Sequence, residues 1–258
     1  MLIDTHSHLF LEEFKDDLPQ VIERAKQAGI SRIYMPNIDS TTIESMLSVS
    51  KDYPDYCYPT IGLHPTSVNE NYMEELAIVN ERLRTLNNFA AIGEIGLDLY
   101  WDGTFLKEQL VAFERQLEWA IEYHLPVIIH SRNAFEYIYK VMSNYKSSSL
   151  TGIFHSFSGT EEEASRLLEF ERFMFGINGI VTFKKSSLPD VLSSIPMERI
   201  VLETDSPYLS PVPNRGKRNE SANVKYTLLK LVDVYHTTVE HLSEATSQNA
   251  LKVFGLVK

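Results

Sequence analysis

The chain has 258 residues, 43% of them hydrophobic and 23% charged, an ordinary globular make-up that excludes disorder, and no apolar run reaches the roughly 18 residues of a membrane span. A single cysteine, Cys57, excludes an intramolecular disulfide, a redox pair and a cysteine-based metal site. With 24 Lys+Arg against 35 Asp+Glu the formal charge is −11, the wrong sign for coating nucleic acid by bulk electrostatics, so a polyanion would need divalent cations or a local basic cluster.

In chain order, short β-branched or apolar runs alternate with stretches of helical period, the pattern of βα units around a parallel sheet. The opening, MLIDTHSHLFLEEF, has no basic region or uninterrupted apolar stretch and reads as a mature cytoplasmic terminus. It holds the first predicted strand, Leu2–Thr5, before a helix over Leu18–Ala28 that Pro19 opens and Gly29 closes. Further strands are predicted at Arg32–Asn37, Tyr56–Gly62, Ala90–Gly96, Pro126–His130, Gly152–Phe157, Phe173–Ile177 and Ile200–Glu203. Between the fourth and fifth, Leu106, Leu110, Phe113, Leu117 and Ile121 mark one helix face, with Lys107, Glu108, Glu114, Arg115 and Glu118 opposite. Helices over Ala222–Tyr235 and Val239–Phe254 end the pattern. Eight βα units in one chain predict an α/β protein built as a single (β/α)8 TIM barrel over residues 1–258, with its site at the C-terminal strand ends. No strand is followed by a GxGxxG or GxxxxGK[ST] loop, which disfavours an open doubly wound sheet.

The strand ends carry the chemistry. The first ends Asp4-Thr5-His6-Ser7-His8, the third reaches His64-Pro65, and the fourth runs Glu94-Ile95-Gly96-Leu97-Asp98. The fifth ends His130-Ser131-Arg132, the sixth His155-Ser156-Phe157 and the eighth Glu203-Thr204-Asp205. An HxH pair is unspecific alone, but in an extended segment His6 and His8 face one side. Glu94 and Asp205 follow buried strands, where a carboxylate needs a cation or strong donors. Together His6, His8, Glu94, His130, His155 and Asp205 form a nitrogen and oxygen set suited to one or two divalent cations, with Glu94 able to bridge. Asp205 is the candidate base, and His64, followed by proline, a substrate contact or proton donor. Glu203 and Asp98 are candidates for orienting ligand imidazoles, Glu203 also for touching a metal. Just past Asp205, a proline-stiffened loop ends in Arg215, Lys217 and Arg218, a candidate anion clamp, and Lys184-Lys185 is the other basic cluster. Tyr100, Trp101 and Tyr208 follow strand ends and are candidates for base stacking.

Seven ordered blocks spread over the chain resemble the TatD family of metal-dependent deoxyribonucleases, amidohydrolase-like barrels: DTHSHL at 4–9, IGLHP at 61–65, IGEIGLD at 92–98, IIHSR at 128–132, FHSFSG at 154–159, LETDSPYL at 202–209 and RGKRNE at 215–220. The resemblance implies a distorted TIM barrel with two or more divalent ions, Mg²⁺ in activity, although such ligands also accept Mn²⁺ or Zn²⁺. It implies phosphodiester hydrolysis in DNA, 3′→5′ exonuclease action on single strands and RNA as a further substrate; apart from the resemblance, a monomer with no membrane partner is expected. By matching blocks, His6, His8, Glu94 and Asp205 would hold the first ion and Glu94, His130 and His155 the second, with His64 on the scissile phosphate and Glu203 and Asp98 in support or at an extra metal. Ser221 stands where the family usually has proline, and Leu99 where it usually has an aromatic residue. Related barrels attack small amides, esters or phosphotriesters with the same metal site, which is the alternative reading.

Overall fold

The computed structural model describes residues 1–100 and 102–255. Its eight parallel strands are β1 (Leu2–Asp4), β2 (Ile30–Met35), β3 (Cys57–Pro59), β4 (Ile92–Asp98), β5 (Val127–Arg132), β6 (Gly152–Phe154), β7 (Phe173–Ile177) and β8 (Ile200–Leu202). The intervening helices are α1 (Leu18–Gln27), α2 (Ile43–Asp52), α3 (Tyr72–Thr85), α4 (Leu106–Glu122), α5 (Phe135–Ser143), α6 (Glu161–Leu168) and α7 (Leu188–Leu192). After β8 come α8 (Val224–Tyr235) and α9 (Val239–Phe254). Among the described residues no helix is long and apolar enough to cross a membrane.

The regular ladders fall into two sheets, β1-β2-β3 and β4-β5-β6-β7-β8, joined at two seams. At one, Ile61 donates to Ala91 O at 3.1 Å and Gly93 donates to Ile61 O at 2.8 Å. At the other, Thr5 donates to Leu202 O (3.0 Å), Asp205 to His6 O (2.9 Å) and His8 to Ser206 O (2.8 Å). Buried Asp4 locks this second seam, accepting from Thr204 N at 2.9 Å and Thr204 Oγ1 at 2.7 Å. The result is a closed, irregular (β/α)8 barrel. β2 stops at Met35 rather than Asn37 because Pro36 offers no N–H to a ladder. β3, β6 and β8 stop short of their predicted ends where the chain leaves the ladder to point side chains into the mouth, whereas β4 and β5 run on, pairing Asp98 with Arg132.

Six strands, and Ala91 just ahead of β4, point a residue inward to an apolar floor that includes Ile3, Tyr34, Ile128, Ile153, Met174 and Val201. α9 presses Ala250, Val253 and Phe254 against it, with the Phe254 and Tyr34 rings stacked at 3.6 Å. α4 departs from the predicted face: Leu106, Leu110 and Ile121 are half-buried, and the fully buried positions include Gln109 and Gln116. Gln109 bonds both backbone groups of Asp98 (3.0 and 3.1 Å), and Gln116 both of Leu63 (2.7 and 3.3 Å). The helix is rotated because these amides satisfy strand-end backbone that would otherwise be buried unpaired.

Candidate metal centre and active site

The C-terminal strand ends converge on Glu94, whose two oxygens face different partners. Oε2 lies 3.0 Å from His6 Nε2 and 3.8 Å from His8 Nε2. Oε1 lies 2.8 Å from His130 Nδ1, 3.4 Å from His64 Nε2 and 3.7 Å from His155 Nε2. Asp205 Oδ1 adds distances of 3.6, 3.5 and 3.8 Å to His6, His8 and His155. All of the strand-end histidines and carboxylates singled out in the sequence thus meet at one mouth.

These groups are held from behind. His8 Nδ1 lies 3.1 Å from Pro36 O, an acceptor only, which fixes the ring with Nε2 turned toward the centre. His155 Nδ1 faces Glu203 Oε1 at 3.0 Å, and the same oxygen accepts from Ser156 N at 2.7 Å. His130 Nε2 meets Asp98 Oδ2 at 2.9 Å. Gly176 makes room for Glu203: a Cβ there would stand 2.2 Å from Glu203 Oε2. Asp205 adopts the left-handed region at φ 57°, which costs a non-glycine residue roughly 1 kcal/mol or more and is held by its bond to His6 O.

A divalent cation fits this donor set. His6 Nε2 and His8 Nε2 stand 3.1 Å apart, and Glu94 and Asp205 bring carboxylate oxygens to both. Among the described residues, His6 Nδ1 and Glu203 Oε2 are buried with no hydrogen-bond partner. Among the described residues, three groupings have ligand atoms within 4.8 Å of one another: His6, His8 and Asp205; His64, Glu94 and His130; and His6, His155 and Glu203. Lone pairs and carboxylates this crowded repel one another unless protons or cations lie between them.

The electrostatics follow from that crowding. Burial alone would raise Glu94, but the imidazoles of His6, His64 and His155 and the bond to His130 hold its carboxyl well below the usual range. Asp205 is lowered in the same way, against burial, by its bond to His8 and by His155 and His6. Burial and the neighbouring His155 push His6 down to about 4. Burial also lowers His64, in spite of Glu94. His130 is raised against burial by its bonds to Asp98 and Glu94. Asp205 is the most open of the four carboxylates, its side chain 16% exposed against 3% for Glu94, 1% for Asp98 and 0% for Glu203.

The centre opens into a cleft of about 710 Å³ lined by His8, His64, His130, Arg132, Asp205 and Tyr208 among others. Arg132 had no role in the sequence reading, although its spacing of two from His130 in an extended strand put both on one face. Its guanidinium lies 3.8 Å over the ring of Tyr100. Of the predicted stacking residues, Tyr100 and Tyr208 are half exposed, and Trp101 lies outside the described residues. The basic loop departs from expectation, since Arg215, Lys217 and Arg218 are absent from the cleft lining. Arg218 is taken up by Asp17 through two bonds of 2.7 Å and rests over Phe14, because α1 presents a carboxylate nearer than the mouth. Ser221, in place of proline, puts its hydroxyl 3.4 Å from Ser7 Oγ in the buried seam.

A closed βα barrel with clustered histidines and carboxylates at its C-terminal mouth defines a metal-dependent hydrolase. Residues 3–255 match the family of TatD-related DNases, and the chain belongs to it. It is 37% identical to YabD of Bacillus subtilis strain 168, an uncharacterized metal-dependent hydrolase, over 99% of this chain and 100% of that one. It is 31% identical to the 3′-5′ ssDNA/RNA exonuclease TatD of Pantoea ananatis, over 99% and 100%. The crystal structure of YjjV, a TatD homologue from Escherichia coli K12, superposes with a TM-score of 0.91 at 27% identity, covering 99% of this chain and 98% of that one.

Proposed function

We propose that this hydrolase cleaves phosphodiester bonds in single-stranded nucleic acid, DNA and also RNA, as a 3′→5′ exonuclease with two divalent ions. One observation carries the reading: Glu94 offers its two oxygens to two separate sets of histidines, beside an accessible Asp205. The exonuclease activity named for the Pantoea relative supports it. In this reading His6, His8, Glu94 and Asp205 hold one ion, and Glu94, His130 and His155 the other. Mg²⁺ serves in activity, and Mn²⁺ or Zn²⁺ suit the same donors. Divalent ions there supply Lewis acidity at phosphoryl oxygens and a water that ionises near neutral pH.

The chain's own groups do the rest. Asp205, held anionic, accepts the proton of the attacking water. His64 presents Nε2 toward the scissile phosphate, and Arg132, its guanidinium over the Tyr100 ring, offers planar donors to its free oxygens. Glu203 and Asp98 hold His155 and His130 in orientation.

The test is hydrolysis of 3′- and 5′-labelled DNA and RNA single strands across Mg²⁺, Mn²⁺ and Zn²⁺. Release of mononucleotides from the 3′ end, reduced on the order of 10²- to 10⁴-fold in Asp205→Asn, is expected. Intact strands under every ion, with wild type and Asp205→Asn alike, would sink the reading. A second reading, hydrolysis of a small amide, ester or phosphotriester, is favoured by the absence of Arg215, Lys217 and Arg218 from the cleft wall. Turnover of such compounds with strands left intact would select it.

A further inference from the structure

Many cations of this acidic chain are neutralised close at hand: Arg24, Arg82, Arg166 and Arg218 each meet a carboxylate at 2.5 to 2.7 Å. Four exposed cations near the mouth have no such partner among the described residues: Lys184 and Lys185 after β7, and Arg215 and Lys217 after β8.

The two loops that carry them form one surface. Val212 N donates to Thr182 Oγ1 at 2.9 Å, and Gly179 packs so closely that a Cβ there would stand 2.3 Å from Leu209 O. Arg215 lies over Phe183, the neighbour of Lys184, its Cζ 3.8 Å from the ring centroid, and donates to Ser210 O at 3.3 Å. Ser210 in turn donates its hydroxyl to the carbonyl of Lys217 at 2.6 Å. Arg215 is therefore held in place rather than waving in solvent. The same loops supply Ile180, Tyr208 and Leu209 to the cleft wall, and the Tyr208 ring, half exposed, stands 6.3 Å from that of His8.

Cations beside exposed aromatic faces are what a single strand uses, phosphates on the charges and bases on the rings. On a chain of net charge −11 such a surface reverses the repulsion a polyanion meets elsewhere. We infer that the loops after β7 and β8 form a docking track for the backbone of single-stranded nucleic acid, running outward from the cleft past Tyr208; this rests on the phosphodiesterase reading above. The bases of the strand outside the cleft lie against Tyr208, and its phosphates meet Arg215, Lys217, Lys184 and Lys185. A substrate of two nucleotides ends before the track.

The test compares wild type with the fourfold variant Lys184→Ala, Lys185→Ala, Arg215→Ala and Lys217→Ala. A charge-matched control carries Lys51→Ala, Lys107→Ala, Lys225→Ala and Lys252→Ala on the outer helices. For a strand of about 20 nucleotides, the track variant is expected to raise KM roughly tenfold or more with kcat within about twofold, and to lower the slope of log affinity against log salt by about 2 to 3. KM for a dinucleotide stays put, and the control shifts neither quantity. Fluorescence anisotropy of the labelled strand reads the same affinities and slopes without turnover, so the track is decided even if no strand is cut, the outcome that would remove the phosphodiesterase reading alone. Unchanged affinity and salt slope in the track variant, or an equal change in the control, overturns the track.

Discussion

The imidazole rings of His6 and His155 stack face to face, centroids 3.4 Å apart and planes 20° from parallel. Two rings this close are not both cationic. His6 is held neutral by burial and by its neighbour, while His155, against its burial, is pushed up to about 10 by Glu203, Glu94 and Asp205. In the metal-free protein the proton therefore sits on His155, and an ion that uses this imidazole must displace it. Below the raised value the proton competes, so apparent metal affinity rises with pH, about tenfold per unit for one displaced proton. Calorimetry in buffers of different ionisation enthalpy at neutral pH should show proton release on Mn²⁺ or Zn²⁺ binding. Affinity flat from about pH 6 to 8 would remove His155 from the ligand set.

The support behind His155 depends on a missing methyl group. Gly176→Ala would drive its Cβ into Glu203 Oε2 and move the carboxylate that faces His155 Nδ1 and receives Ser156 N. A loss of roughly 10- to 100-fold in metal affinity is expected, the size typical of lost ligand support. Glu203→Gln should fall in the same range, while circular dichroism shows an intact barrel. Metal titrations that superimpose on wild type would show that Glu203 does not orient His155.

At the α1 face, bonds from Arg218, partly offset by burial, and from Arg24 lower the Asp17 carboxyl. A depressed carboxylate contributes stability above its unfolded value, and that contribution is lost as pH falls through the folded one. Because these side chains are about a third exposed, the effect is small, about 0.5 to 1 kcal/mol. Urea melts of Asp17→Asn should lie below wild type at neutral pH and converge with it in acid. Melts that diverge further in acid would contradict the pairing.

Cys57 is only 2% exposed, and burial pushes its thiol up to about 12. A thiol so placed supplies almost no thiolate at physiological pH. Ellman's reagent should leave the native protein unreacted at about pH 8 and titrate one thiol in urea. Rapid labelling of the native protein would mean that β3 opens readily.

β7 and α9 match their predicted bounds residue for residue, because apolar period and turn residues both mark their ends. The site was legible for a related reason: barrel order converts distant strand ends into neighbours, so His6, His130, His155 and Asp205 needed no knowledge of contacts. What stayed hidden depends on partners far along the chain. Gln109 and Gln116 carry nothing in the sequence that sets them apart from other polar helix residues; only the backbone of Asp98 and Leu63 shows why they are buried. Arg218 stands close to Asp205 in sequence, yet its partner Asp17 lies 201 positions away, and no local pattern announces that pairing. Arg132 was in view but looked like the end of a strand rather than part of a wall.

The Asp4 to Thr204 lock also sets an order of events during synthesis. The residues it joins are 200 positions apart, so a nascent chain still waiting for its eighth strand already displays most of the histidines, while its first strand is paired on one side only, with β2. Asp205 therefore joins the histidines late, and a truncated product that lacks this seam is left both open and without its full set of donors.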